Sequence, residues 1–197
     1  MRGPIALLLV AGLAIAGCGG GARQDEDEPA GDYRLEVTRA EFPAQQALAK
    51  RTSFVVEVRN ADSKTVPNIA VTVKTDPPHQ GEAPVAFGVR EDNPDLADPT
   101  RPIWIVDSGP EGGDTAYVNT WQLGALRPGA TARFEWRVTP VKAGDFTVNY
   151  EVAPGLDGKA KLASGSTRAT GSFSVSIDDE PIQARVDENG DVVRVDE

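Results

Sequence analysis

From Tyr33 onward, apolar and polar residues alternate one for one in run after run. A period of two is what a chain shows when it lays down strands with one face buried and the other wet. Tyr33, Leu35 and Val37 fall on one side and Arg34, Glu36 and Thr38 on the other. Phe54, Val56 and Val58 alternate with Glu57 and Arg59, and Ile69, Val71 and Val73 with Thr72 and Lys74. Further on, Ala132, Phe134, Trp136 and Val138 oppose Arg133, Glu135 and Arg137; Phe146, Val148, Tyr150 and Val152 oppose Thr147, Asn149 and Glu151; Phe173, Val175 and Ile177 oppose Ser172, Ser174 and Ser176. Turn formers punctuate these runs, as in Asn60-Ala61-Asp62, Arg127-Pro128-Gly129, Lys142-Ala143-Gly144-Asp145 and Ala153-Pro154-Gly155. No amphipathic helix of useful length interrupts them. A sheet with one apolar face must cover it, so the pattern predicts two sheets packed face to face: an all-β, immunoglobulin-like antiparallel β-sandwich of about seven to nine strands over residues 33–178.

Charge and cysteine usage narrow the function. Acids exceed bases by ten, so the surface repels phosphates and nucleic acid is excluded as a partner. The single cysteine rules out an intramolecular disulfide and any cysteine-based metal cage.

That cysteine is Cys18, just beyond the apolar run Ile5 to Ala16 that follows Arg2. The run is shorter than the roughly twenty apolar residues needed to span a bilayer, and it reads as a secretory signal over residues 1–17. Ile15-Ala16-Gly17-Cys18 resembles the lipobox of bacterial lipoproteins. The resemblance implies diacylglycerol and acyl modification of Cys18, cleavage before it, and anchoring to the outer face of a bacterial membrane. Two or more acyl chains hold a protein stably where one does not. An ordinary cleavage site after Ala16 is the alternative. Gly19 follows the cysteine, so the aspartate that signals inner-membrane retention in some envelopes is absent, and which membrane holds the anchor stays open. Residues 18–32 then read GGGARQDEDEPAGD after the cysteine, a composition that predicts a disordered acidic linker reaching roughly 20 Å.

The stretch Leu123-Gly124-Ala125-Leu126-Arg127-Pro128-Gly129, the strand Thr131 to Val138, and Ala143-Gly144-Asp145-Phe146-Thr147-Val148 resemble the second half of prokaryotic immunoglobulin-like repeats. Among these are the cell-adhesion-related domain of bacteria and the conserved-repeat family of unknown function. Phe146 and Val148 stand where many sandwiches carry a corner tyrosine and a cysteine, so the corner hydroxyl and the inter-sheet disulfide are both missing.

Candidate sites lie in the loops. The insertion from Asp76 to Arg101 carries Pro77, Pro78, Pro84, Pro94 and Pro99, with Asp92, Asp95 and Asp98 as calcium candidates that match no defined motif. His79 has no second histidine or cysteine to share a metal. Trp104 and Trp121 flank the insertion as candidates for an exposed platform, with burial in the sandwich as the alternative, whereas Trp136 is in phase with the core. The segment Gly155 to Gly171 bears Lys159, Lys161 and Arg168 and reads as an extended mobile hairpin, either a loose solvated loop or a docking site for an acidic partner. In the tail of residues 179–197, Asn189-Gly190 between Ala184, Val186, Val193 and Val195 predicts a hairpin. No serine occupies a nucleophile-elbow context, and nucleophile–base pairs would all depend on His79, so enzymatic activity is not expected. The resulting expectation is a non-enzymatic, membrane-anchored envelope lipoprotein without cofactor, whose domain mediates protein contact or adhesion with an envelope or surface protein. A ligand- or calcium-binding surface lipoprotein is the alternative.

Overall fold

In the computed structural model the described residues are 27–76, 86–89, 102–117, 119–180, 184–186, 188–190 and 192–194. The alternating runs are strands. In chain order they are β1 (Gly31–Tyr33), β2 (Leu35–Glu41), β3 (Gln45–Ala47), β4 (Thr52–Asn60), β5 (Ala70–Asp76), β6 (Phe87–Val89), β7 (Trp104–Ser108), β8 (Asp114–Tyr117), β9 (Thr120–Gln122), β10 (Thr131–Pro140), β11 (Gly144–Ala153), β12 (Ala160–Leu162), β13 (Thr170–Asp178), β14 (Ala184–Val186) and β15 (Val192–Arg194). A five-stranded sheet of order β2-β4-β10-β7-β6 packs on a six-stranded sheet of order β3-β13-β11-β5-β9-β8.

The orders β2-β4-β10-β7 and β13-β11-β5 correspond to the A-B-E-D and G-F-C sheets of the immunoglobulin fold. The β8–β9 hairpin adds itself beside β5, but the chain reaches it after β7 rather than before. Among the described residues, strands of five residues or more are seven, namely β2, β4, β5, β7, β10, β11 and β13, within the expected number. The additional short strands are too brief for a period of two to register in the sequence. The tail forms the expected hairpin, with β14 antiparallel to β15 and Gly190 at φ +87° in its turn.

The core lies between the sheets and is the inward set of the alternation. Phe54, Val56 and Val58 of β4 and Phe134, Trp136 and Val138 of β10 are fully buried, and β10 pairs with β4 in the register Phe134↔Val56 and Trp136↔Phe54. From the facing sheet come Val71 and Val73 of β5, Val148, Tyr150 and Val152 of β11, and Val175 and Ile177 of β13. Val148, in the place of the absent cysteine, is simply packed. A phenol-to-backbone bond does exist, but at Tyr150, whose hydroxyl donates to the Arg168 carbonyl at 3.2 Å. Tyr150 lies across the ladder from Gly171, and a Cβ there would stand 2.5 Å from its ring. Glycine at 171 makes room for the aromatic.

The start of the sandwich differs from the sequence reading. The linker was expected to run through Asp32, yet Gly31–Tyr33 forms β1, parallel to β12, with Gly31 opposite Ala160 and Tyr33 opposite Leu162. Residues 27–32 therefore belong to the folded edge.

Candidate interaction surface

Strand polarity gives the sandwich two different ends. β4 and β11 finish, and β5, β10 and β13 begin, at the end where the turns 60–69, 123–130 and 153–169 gather. Two side chains build that end. Asn60, fully buried, donates Nδ2–H bonds to the carbonyls of Lys64 and Leu126 at 2.8 Å each and accepts the Asp62 N–H at 2.9 Å. Asp62 accepts backbone N–H groups from Arg34 at 3.1 Å, Ser63 at 2.7 Å and Lys64 at 3.3 Å. The Arg34 amide chiefly, then those of Lys64 and Ser63, hold the Asp62 carboxyl below the usual aspartate range. The sequence marked Asn60-Ala61-Asp62 as a turn, but not its long-range partner at Leu126.

Lys159, Lys161 and Arg168 sit at this same end, on a segment that is not the extended hairpin predicted. Ala160–Leu162 is the strand β12, and Thr167 exchanges backbone bonds with β2, its N–H reaching Leu35 O at 3.0 Å and its carbonyl accepting from Val37 at 3.1 Å. Local pairing with β1 and β2 replaces the internal hairpin because both neighbours are brought alongside by the fold. Lys159 and Lys161 are exposed. Lys159 bonds Asp157 at 2.8 Å, and that bond chiefly, with Asp27 and Glu28 behind it, raises its pKa. Arg168 is exposed with φ 55°, its carbonyl taken by Tyr150, whose own pKa is raised by burial.

The opposite end is closed by aromatic rings rather than polar turns. Phe42 packs edge-on to Phe54 at 5.2 Å and against Trp104 at 5.3 Å, with Phe87, Phe146 and Phe173 around them. The two tryptophans proposed as a platform are core residues instead. Trp104 is 0% and Trp121 8% exposed. Trp104 donates Nε1–H to the buried Gln46 Oε1 at 2.7 Å, which satisfies its one polar group away from water. Trp121, on β9 of the β8–β9 hairpin that the alternation did not reveal, packs edge-on to Trp136 at 5.3 Å. Trp136 Nε1, fully buried, has no hydrogen-bond partner among the described residues.

The two outer faces contrast. On the five-stranded sheet, Arg133 bridges Glu57 and Glu135, and Arg39 bonds Glu41 at 2.6 Å; these bonds raise the arginine pKa values and lower those of Glu135 and Glu41. The six-stranded face carries mostly hydroxyls and amides, with Thr72 and Thr120 bonded at 2.8 Å, among which stand Lys74, Asp145 and Glu151. It holds two shallow grooves, of about 530 Å³ beside Gln45, Thr147 and Ser174 and about 360 Å³ beside Thr72, Asn149 and Ser172. A third, of about 350 Å³, lies at the aromatic end between Gln45, Lys50, Arg51 and Asp178. Neither cysteine nor histidine lines them, and among the described residues no three of His, Cys, Asp and Glu gather as a metal site. Cys18, His79, Asp92, Asp95 and Asp98 lie outside the described residues.

No protein-family model matches the chain, and no curated protein matches it in sequence. Solved structures do. The CARDB domain of the PF1109 protein from Pyrococcus furiosus, crystallised in complex with di-metal ions, is 17% identical with a TM-score of 0.44, over 76% of this chain and 94% of that one. Its solution structure is 14% identical with a TM-score of 0.45, over 77% and 99%. Native alpha-2-macroglobulin of E. coli is 11% identical with a TM-score of 0.39, over 78% of this chain and 7% of that one.

Proposed function

We propose that the chain is a non-enzymatic lipoprotein, anchored through acylated Cys18 to the outer face of a bacterial membrane, whose sandwich makes protein contacts in the envelope. The observation that carries the anchor is the sequence Ile15-Ala16-Gly17-Cys18, which puts the chain's one cysteine just past a short apolar run. The contact role is supported by a core filled with side chains and a surface whose grooves are shallow, a form suited to recognition by loops and faces rather than enclosure of a substrate. Mass spectrometry of the mature N-terminus tests the anchor. A diacylglyceryl cysteine at position 18, lost in Cys18→Ser together with membrane association, is expected; an unmodified N-terminus at Gly17 or Cys18 would refute it. Crosslinking of the domain in its own envelope, with calcium and with chelator, tests the contact role. A specific protein crosslinked in both conditions is expected, whereas capture only with calcium would favour the calcium-binding alternative through Asp92, Asp95 and Asp98.

A further inference from the structure

The turn joining β11 to β12 holds a carboxylate. Leu156, Asp157 and Ala160 direct their backbone N–H groups to it at 2.6, 3.3 and 3.2 Å, and it belongs to Glu28, 128 residues before Leu156. The turn is shaped around this group. Gly155 is buried, and a Cβ there would overlap the Glu28 carboxylate, so the missing side chain leaves room for the acid. Immediately after Glu28 the chain is bound again: Gly31 N–H donates to Lys159 O at 3.1 Å, β1 runs along β12, and Ala163 N–H donates to Tyr33 O at 2.8 Å. Backbone N–H groups converging from one turn make an anion-binding concavity, and each bond to a charged acceptor is stronger than one between neutral groups. Lys159, exposed beside Asp157, adds positive charge at the rim.

We propose that the turn 154–160 is a carboxylate-binding nest whose built-in ligand is Glu28, latching the acidic N-terminal segment to the sandwich so that it leaves from the end bearing the 60–69, 123–130 and 153–169 turns. Two consequences follow. An acidic partner approaching Lys159 and Lys161 competes with the chain's own Glu28 for the same amides. With the chain held at Glu28, the aromatic end, where β5 finishes and β7 begins, points away from the anchor. Only the direction of the membrane rests on the anchoring reading; the latch does not.

Amide hydrogen exchange on the whole, unlipidated chain tests it, comparing wild type with Glu28→Gln and Gly155→Ala. The first removes the charge and the second fills the space of the carboxylate. Exchange at Leu156, Asp157 and Ala160 should accelerate by about tenfold or more in both variants, with the β4–β10 amides unchanged. If Gly155→Ala also speeds the β4–β10 amides it has disturbed the fold, and Glu28→Gln alone decides. Equal protection of the three amides in wild type and Glu28→Gln would overturn the latch. Since no lipid is involved, that failure would leave the modification of Cys18 untouched, and an unmodified Cys18 would leave the latch untouched.

Discussion

Replacing Asn60 by alanine removes three side-chain hydrogen bonds from a fully buried position: Nδ2–H to Lys64 O and Leu126 O, and Oδ1 from Asp62 N–H. At about 1 kcal/mol net for each bond, the loss is about 3 kcal/mol. One stranded partner is spared, because Leu126 O keeps the Val66 N–H at 2.9 Å. Those at Lys64 and Asp62 lie near enough to the surface to regain water, which keeps the cost at about 2–3 kcal/mol. With a urea m-value of about 2 kcal/mol/M, the unfolding midpoint falls by about 1–1.5 M. Asn60→Asp separates hydrogen bonding from packing, since the shape is kept while the donor becomes an oxygen facing two carbonyls. Burial and those carbonyls raise the pKa of the introduced carboxyl. Its ionised form therefore destabilises at neutral pH, and as the pH falls through that raised pKa it takes a proton, donates one bond and recovers part of the loss. The stability gap to wild type should narrow on acidification for Asn60→Asp and stay constant for Asn60→Ala. A cost below about 1 kcal/mol for alanine, or an aspartate gap that does not narrow, would refute the hydrogen-bonded account of this corner.

The Asp62 carboxyl, held below its usual range by three backbone amides, contributes stability that is present above the unfolded aspartate pKa and is lost as the pH falls through the lower folded value. In urea melts between about pH 5 and pH 2, wild type should lose its advantage over Asp62→Asn; a constant difference would contradict the bond pattern. All three tryptophans are at most 8% exposed, so native emission should be blue, weakly quenched by iodide and red-shifted on unfolding. A red, iodide-accessible native component would contradict the burial of Trp104 and Trp121. Gly171→Ala should cost about 1–3 kcal/mol by crowding the Tyr150 ring, and the penalty should vanish in a Tyr150→Ala background, which a double-mutant cycle in urea measures.

What the sequence disclosed depended on run length. β4, β10, β11 and β13 are nine or ten residues long, enough for the alternation to set the buried face, and the inward residues of β10 are those expected. Three-residue strands carry one repeat at most, so β1, β3, β6, β9 and β12 left no pattern. Trp121 was left between platform and core for that reason: without β9 and its antiparallel register to β5, nothing in its neighbours said which way it points. Asn60 and Glu28 were illegible for a different reason. A buried amide or a half-buried carboxylate is explained by its partners, and these lie 66 and 128 residues away, joined by the fold and by no local spacing. Gly155 was visible only as a turn former, although the room it leaves is what admits the acid.

The arrangement of edges bears on how such a module meets a partner. An open edge strand invites pairing with another chain. Among the described residues, the start of β2 is covered by Thr167, through bonds to Leu35 and Val37, on the segment whose preceding turn is held by Glu28 and β1. Its outer half carries the Arg39–Glu41 ion pair and a bulge between Val37 and Arg39, both features that discourage strand addition. On the other sheet β3 is only three residues long, and β8 is broken by a bulge between Thr115 and Tyr117. Strand addition is thus disfavoured along each of these edges. A protein partner is better served by the loop-bearing ends, and the two ends differ: one is a hydrogen-bonded turn cluster bound to the N-terminal segment, the other an aromatic-packed rim beside Lys50, Arg51 and Asp178. If the proposed anchor and the Glu28 latch both hold, contact falls to the second end, and substitutions at Lys50 and Arg51 should weaken a crosslinked partner more than substitutions at Lys159 and Lys161. The reverse order would mean that the partner displaces the latch.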